Sequence, residues 1–316
     1  MTSDAGVHIG VTVPQIKRSW AESKAASQEF EAMGFDSLWV CDHLYGPQSP
    51  SIPILEAWSL LSALAACTDS VELGTLVTPT GMRNPAHLGK VIATVDAIAG
   101  GRVIPGFGAG WMDREHTDFG MPFPPVADRL AQMEETLQLL GRMWDPAEEA
   151  TTFDGAFVHT DDLVCLPKPP RRPPVLIGGT GEKVTLRLAA QYADIWNNTA
   201  VTQSELPRKI DVLHAHCDAV GRDPAEIRIS QQCLVIIGAD DAAAEAAIAT
   251  AEKVFGGHLG DPRGDLAIAG TPGRVVEQIQ RHVELGCTMF MAEFFGRDTR
   301  EPARLFAETV LPHVKV

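Results

Sequence analysis

Nowhere in these 316 residues is there an uninterrupted apolar run close to the roughly 20 needed to span a membrane. The N-terminus, Met1-Thr2-Ser3-Asp4, lacks a basic stretch leading into an apolar core. No signal peptide is therefore expected, and a cytoplasmic location is. Positive charge is scarce: 26 Lys and Arg face 41 Asp and Glu, for a net charge of −15. Nucleic acid and anionic membranes both need a basic face, so neither is expected as a partner. The six cysteines, Cys41, Cys67, Cys165, Cys217, Cys233 and Cys287, are scattered with no Cys-x-x-Cys pair. That scatter argues against a disulfide framework or zinc site and for reduced, buried thiols. No His-Glu-x-x-His or Gly-x-Ser-x-Gly signature occurs, which removes the support for a zinc protease or serine hydrolase. His214 and His216, two apart on a predicted helix, face different sides, so no metal site is expected.

What is present is an ordinary globular composition, 45% hydrophobic and 21% charged, enough for a packed core. Strand-like and helix-like segments alternate along it. Val7, Ile9, Val11 and Val13 alternate with His8, Gly10 and Thr12, the period of a strand. A helix over 20–33 follows and stops at Gly34. Residues 37–40 read as a short buried strand, 55–67 as a helix and 71–77 as a strand. Leu88, Val91, Ile92, Val95 and Ile98 recur at helical spacing, closed by Gly100-Gly101. Residues 103–107 read as the next strand, although Pro105 has no N–H to give to a ladder. Leu130, Met133, Leu137, Leu140 and Trp144 mark an amphipathic helix, and 153–168 reads as an inserted hairpin and loop. Strands at 175–177, 193–196, 227–237 and 288–292 then alternate with helices at 182–191, 203–220, 241–254, 272–285 and 300–314. The glycine-rich stretch 255–270 reads as a second insertion. Eight strands, nearly all followed by a helix, predict a parallel sheet covered by helices, closed as a (β/α)8 TIM barrel. An open doubly wound sheet is the alternative this pattern leaves. The length suits one elaborated barrel, so 1–316 is expected to form a single domain.

In such a barrel the chemistry sits at the C-terminal strand ends. After the second strand comes Cys41-Asp42-His43. There His43 can shuttle a proton near neutral pH, and Asp42 can orient it or accept a hydrogen bond from a cofactor ring. The plain alternative is that Asp42 caps a turn and His43 is merely half-exposed. After the third strand comes Gly74-Thr75-Leu76-Val77-Thr78-Pro79-Thr80, small enough to admit a flat ligand, with Arg83 beyond it to meet an anion or solvent. After the fourth comes Gly106-Phe107-Gly108-Ala109-Gly110-Trp111, which lets backbone approach a ligand. Its third glycine falls one place too early for the dinucleotide fingerprint. After the fifth comes Gly178-Gly179-Thr180-Gly181 ahead of a helix, which suits a phosphate or a plain tight turn.

Taken in order, these segments resemble the luciferase-like monooxygenase superfamily, and within it the actinobacterial F420-dependent oxidoreductases. The carrying residues are Asp42-His43, the run from Leu73 to Pro79, Arg83-Asn84-Pro85-Ala86, the run from Thr94 to Trp111 with Gly100-Gly101-Arg102, Pro174 to Gly179, and Ala190 to Asn197. The resemblance covers nearly the whole chain. It implies a tricyclic ring at the barrel mouth, with coenzyme F420 as cofactor. Asp42 and His43 match the pair near the redox-active edge, the histidine as the proton-transferring or stabilising group. Thr75, Leu76 and Val77 match the bulge behind the ring, where the family often has a non-prolyl cis peptide. Gly108, Ala109 and Gly110 would approach the ribityl chain, and Gly178, Gly179 and Thr180 would receive the phosphate. A small-molecule substrate is implied, and a homodimer is common in the family. One position departs: Trp111 stands where some F420-dependent sugar-phosphate dehydrogenases carry a catalytic glutamate, so that substrate does not transfer. Glu115 lies nearby in sequence, with nothing there to place it in the site. An FMN-dependent monooxygenase and a non-catalytic ligand-binding barrel are the competing expectations.

Overall fold

The computed structural model describes residues 6–46 and 49–315; the N-terminal segment read for a leader, residues 1–4, lies outside the described residues. The chain divides into two compact units interleaved in sequence. One comprises Met1–Pro14, Ala25–Trp39 and Gly179–Val316, the other Gln15–Lys24 and Val40–Gly178.

In the first unit the strands are parallel and run, neighbour to neighbour, Ile195–Asn198, Arg228–Ile237, Cys287–Phe294, His8–Thr12 and Ser37–Val40. The register sets Trp196 against Ile229, Ser230 against Met289, Ile9 against Phe290 and Val11 against Leu38. Most of their residues are buried on both faces, polar ones such as Asn198, Ser230 and Gln231 included, as in strands covered on both sides. Helices Thr185–Tyr192, Leu206–Val220, Asp241–Phe255 and Pro272–Glu284 follow strands in turn. An aromatic group anchors the unit: Phe35 meets Phe294 at 5.7 Å and Phe30 at 5.9 Å between ring centroids, and Phe294 meets Phe306 at 5.3 Å. Two expectations are corrected here. The stretch read as a glycine-rich insertion ends in a short strand, Ile268–Gly270, parallel to Val235–Ile237. The predicted last helix is two, Arg300–Thr309 and Leu311–Val314, because Pro312 cannot continue the first one's hydrogen bonding.

In the second unit Leu73 pairs with Val103, Thr78 with Phe107, and Gly106 with Leu176, all parallel. Pro105 splits its strand into Val103–Ile104 and Gly106–Gly108, and each piece has a different partner. With no N–H to offer, Pro105 contributes only its carbonyl, which accepts from Leu176 at 3.0 Å. The strand expected over 71–77 is likewise interrupted, as Glu72–Thr75 and Thr78–Pro79. The long helix Pro85–Ala99 starts with proline at its first turn and Asn84 capping His87 N–H, and Gly100 ends it in the left-handed region at φ 67°. Helix Val126–Met143 packs beside it, where Gly89 leaves room for Leu140 and Met143. The insertion after it forms the expected hairpin, Thr151–Asp154 against His159–Leu163. A short helix, Asp113–Asp118, has no counterpart in the sequence reading.

All six cysteines are free thiols. Four are buried, while Cys41 and Cys67 are partly exposed, against the expectation of uniform burial. Among the described residues no helix is long and apolar enough to cross a membrane.

Candidate active site

The residues after Ser37–Val40 are held by a side chain that no motif or periodicity singles out. Gln15 is buried, and its carboxamide donates to Cys41 O at 2.9 Å and to Leu55 O, while accepting from Cys41 N–H at 3.0 Å. That clamp fixes the direction in which Asp42 and His43 leave the strand.

Asp42 turns inward. Its carboxylate is buried and takes both terminal nitrogens of Arg83, at 2.7 and 2.9 Å. Arg83 also donates to Glu56, which caps helix Ala57–Ala65 by accepting from Trp58 N–H at 3.2 Å and Ser59 N–H at 2.7 Å. Thr78 bonds Asp42 from the other side and receives Trp58 Nε1–H at 3.0 Å. Burial pushes the Asp42 carboxyl up from its ordinary value, against the pull of Arg83 and Thr78. For Glu56 burial again opposes ionisation, but Ser59 and Arg83 outweigh it and hold the carboxyl below its usual range. Arg83 is therefore neither solvated nor open to an anion, as the sequence had allowed; it is the centre of an internal ion cluster.

The carboxylate on His43 is Glu115, not Asp42. Nδ1 of His43 lies 2.9 Å from Glu115 Oε2, and the other oxygen accepts Leu44 N–H. Glu115 is fully buried on the short helix Asp113–Asp118, and the His43 side chain keeps 16% of its surface exposed. An ionised carboxylate only accepts, so Nδ1 carries the proton and Nε2 is left to give or take one. The same helix is tied down again where Tyr45 Oη donates to Asp118 at 3.4 Å and Tyr45 meets Phe119 at 6.4 Å. Trp111 stands edge-on to His43, with centroids 5.9 Å apart and planes at 79°, and is 68% exposed. Seventy-two residues separate His43 from Glu115, so no local pattern could have paired them.

Between the two halves of the interrupted strand lies a cis peptide, Leu76–Val77, where the family resemblance puts one. Thr75 is buried, its hydroxyl bonding both Gly106 O and Gly106 N–H at 3.0 Å, whereas Leu76 and Val77 are half-buried. The glycines around them make room for Val77: a Cβ on Gly108 would come within 2.7 Å of Val77 Cγ2, and one on Gly178 within 2.8 Å of Cγ1. Gly110 is in the left-handed region at φ 76°, and the Ala109 carbonyl accepts from Arg129 at 3.1 Å. Ala109 and Gly110 are half-buried, and Gly108 is fully buried. His116, one place beyond Glu115, is buried against Phe123, and its Nε2 meets no partner among the described residues.

In the first unit, Gly179 (φ 126°) gives its N–H to Asn197 O at 3.3 Å and accepts Trp196 Nε1–H at 2.9 Å. Thr180 O receives the Lys209 ammonium at 3.0 Å, a lysine that also bonds Glu182 at 2.8 Å. The helix expected at 182 begins only at Thr185, because Leu186 N–H reaches back to Gly181 O in a wide turn. Its first-turn donors therefore lie beyond Gly178–Thr180. At the C-terminal end of Cys287–Phe294, burial lifts the Glu293 carboxyl to about 7. Among the described residues no group of three or more His, Cys, Asp or Glu gathers as a metal site would need.

These features meet a known family. The luciferase-like monooxygenase model matches residues 3–289, and the chain belongs to that family. An F420-dependent glucose-6-phosphate dehydrogenase of Microbacterium testaceum is 28% identical over 92% of this chain and 96% of its own. Among solved structures, an F420-dependent secondary alcohol dehydrogenase in complex with an F420-acetone adduct superposes with a TM-score of 0.83 at 23% identity. It covers 98% of this chain and 100% of that one. A monooxygenase from Streptomyces bottropensis gives 0.77 at 22%, covering 97% and 99%. The fold is thus the luciferase-like (β/α)8 barrel that the alternation of elements predicted.

Proposed function

We propose that residues 1–316 form one barrel domain working as an F420-dependent oxidoreductase on a small organic substrate, with His43 handling the proton. The observation that carries this reading is the imidazole, 16% exposed, whose Nδ1 is occupied by the buried Glu115, leaving Nε2 for a reacting oxygen. The residues present fit a flat tricyclic ring. Leu76 and Val77 offer a half-buried apolar wall for one of its faces, and glycine at 108 and 178 lets the Val77 side chain stand there. When bound, F420 supplies a carbon that accepts or donates hydride. Leu76 and Val77 would back its ring, and Ala109 and Gly110 would lie along its ribityl chain. Thr75 and Gly108, both buried, shape that wall rather than touch a ligand. Asp42, locked to Arg83, positions the loop that carries His43. The M. testaceum relative, an F420-dependent enzyme aligned over nearly its full length, supports the choice of cofactor.

The test is titration of the purified protein with F420 and, separately, with FMN, followed by the fluorescence of its six tryptophans. Micromolar F420 binding with much weaker FMN binding is the expected outcome. The opposite preference would point to an FMN monooxygenase, and binding of neither to a non-catalytic barrel.

A further inference from the structure

We infer that the substrate is an uncharged molecule with an apolar body, presenting its reacting oxygen to His43 Nε2 while its hydrocarbon part lies against Trp111. This rests on the oxidoreductase reading above and narrows its substrate class.

The first ground is apolar surface. Trp111 sets an indole, 68% exposed, directly beside the imidazole, apolar area that a hydrocarbon part lying there would cover. Trp111 follows Gly106–Gly108, a strand-end position of the kind from which barrel enzymes contact substrate. The second ground is charge. The segment from Trp111 to Phe119 carries Asp113, Glu115 and Asp118 against the single Arg114, which Asp118 already holds at 3.2 Å. The other arginines flanking these residues are committed as well. Arg83 is held by Asp42 and Glu56. Arg129 bonds the Ala109 and Pro124 carbonyls and sits 3.9 Å over the Phe123 ring. Among the described residues flanking this helix, an anionic group would meet acidic side chains and the guanidiniums of Arg83, Arg114 and Arg129 already paired. A neutral secondary alcohol, or the ketone made from it, meets no such opposition and gains from the indole.

The experiment is calorimetric titration of the full chain with 2-hexanone, 2-octanone and glucose 6-phosphate, each with and without F420. Affinity for the ketones should rise about fourfold per added methylene. Glucose 6-phosphate should bind at least tenfold more weakly than 2-octanone. Trp111→Ala should weaken 2-octanone at least tenfold and Trp111→Phe less than threefold, with F420 affinity unchanged in both. Tighter binding of the sugar phosphate, or Trp111→Ala that holds 2-octanone as the parent does, would overturn the inference. So would Trp111→Ala that converts a dimer to a monomer in sedimentation, since the indole would then belong to an interface between copies. The ligand ranking on the unsubstituted protein decides the matter even where Trp111→Ala does not fold. Ketone binding without F420 binding would sink the cofactor reading and leave this one standing; F420 binding without ketone binding would do the reverse.

Discussion

His43 depends on a residue seventy-two positions away, and two substitutions separate its chemistry from its surroundings. His43→Ala should lower kcat by about 100- to 10,000-fold, the usual worth of a positioned acid–base group, while F420 affinity in the fluorescence titration changes little. Turnover at the parent rate would remove His43 from the mechanism. Glu115→Gln keeps the shape but leaves one amide oxygen for two donors, His43 Nδ1–H and Leu44 N–H. Losing a buried hydrogen bond to a charged acceptor costs about 1.5–3 kcal/mol. Turnover should therefore fall about 10- to 100-fold, with F420 affinity unchanged. Nitrogen-15 spectra of His43 should show the Nε2–H tautomer gaining population. An unchanged tautomer would mean that Glu115 only packs.

At the scale of elements, strand ends are shaped by what packs on them. Val77 stands in the space that side chains at positions 108 and 178 would fill, so Gly108→Ala overpacks the site. Such overpacking costs about 1–3 kcal/mol. Denaturant unfolding should show that loss, and Val77→Ala in the same chain should return most of it. Additive losses in the double variant would show that the two do not compete for one space. Strand Cys287–Phe294 carries, one place before its end, Glu293, whose carboxyl burial pushes up to about 7 in the folded chain against an ordinary 4.5. Between those values the folded protein holds more protons than the unfolded one, so this group lowers stability as pH rises from about 4.5 to 7, and its cost is complete above 7. Glu293→Gln should therefore raise the melting temperature by a few degrees at pH 8 and leave it unchanged at pH 4. An equal gain at both values would mean that its ionisation plays no part.

For the whole molecule the governing quantity is net charge. At −15 the chain repels a phosphate-bearing cofactor at long range, whatever its local contacts. Raising ionic strength from about 10 to 150 mM shortens the reach of that repulsion from roughly 30 to 8 Å. Stopped-flow association of F420 should accordingly quicken with salt. A slower rate would show that local positive potential, such as that of Lys209 beside Thr180, dominates the approach.

The sequence by itself determined the alternation of strands and helices, the eight-unit barrel, the helix stop at Gly100, and the presence of His43 at a strand end. Each follows from periodicity or local backbone preference, which act over a few residues. It also read Pro105 as a fault in its strand, and the chain breaks there. It did not show the strand Ile268–Gly270, whose three residues carry no period and exist through pairing with Val235–Ile237. Nor did it show that Asp42 would face Arg83 while Glu115 took the imidazole, because a carboxylate's partner is chosen by proximity in space and the cost of burying charge unpaired. Gln15 and Glu293 belong to the same group: their residue types are ordinary, and only tertiary structure, by burying one and desolvating the other, gives each its role.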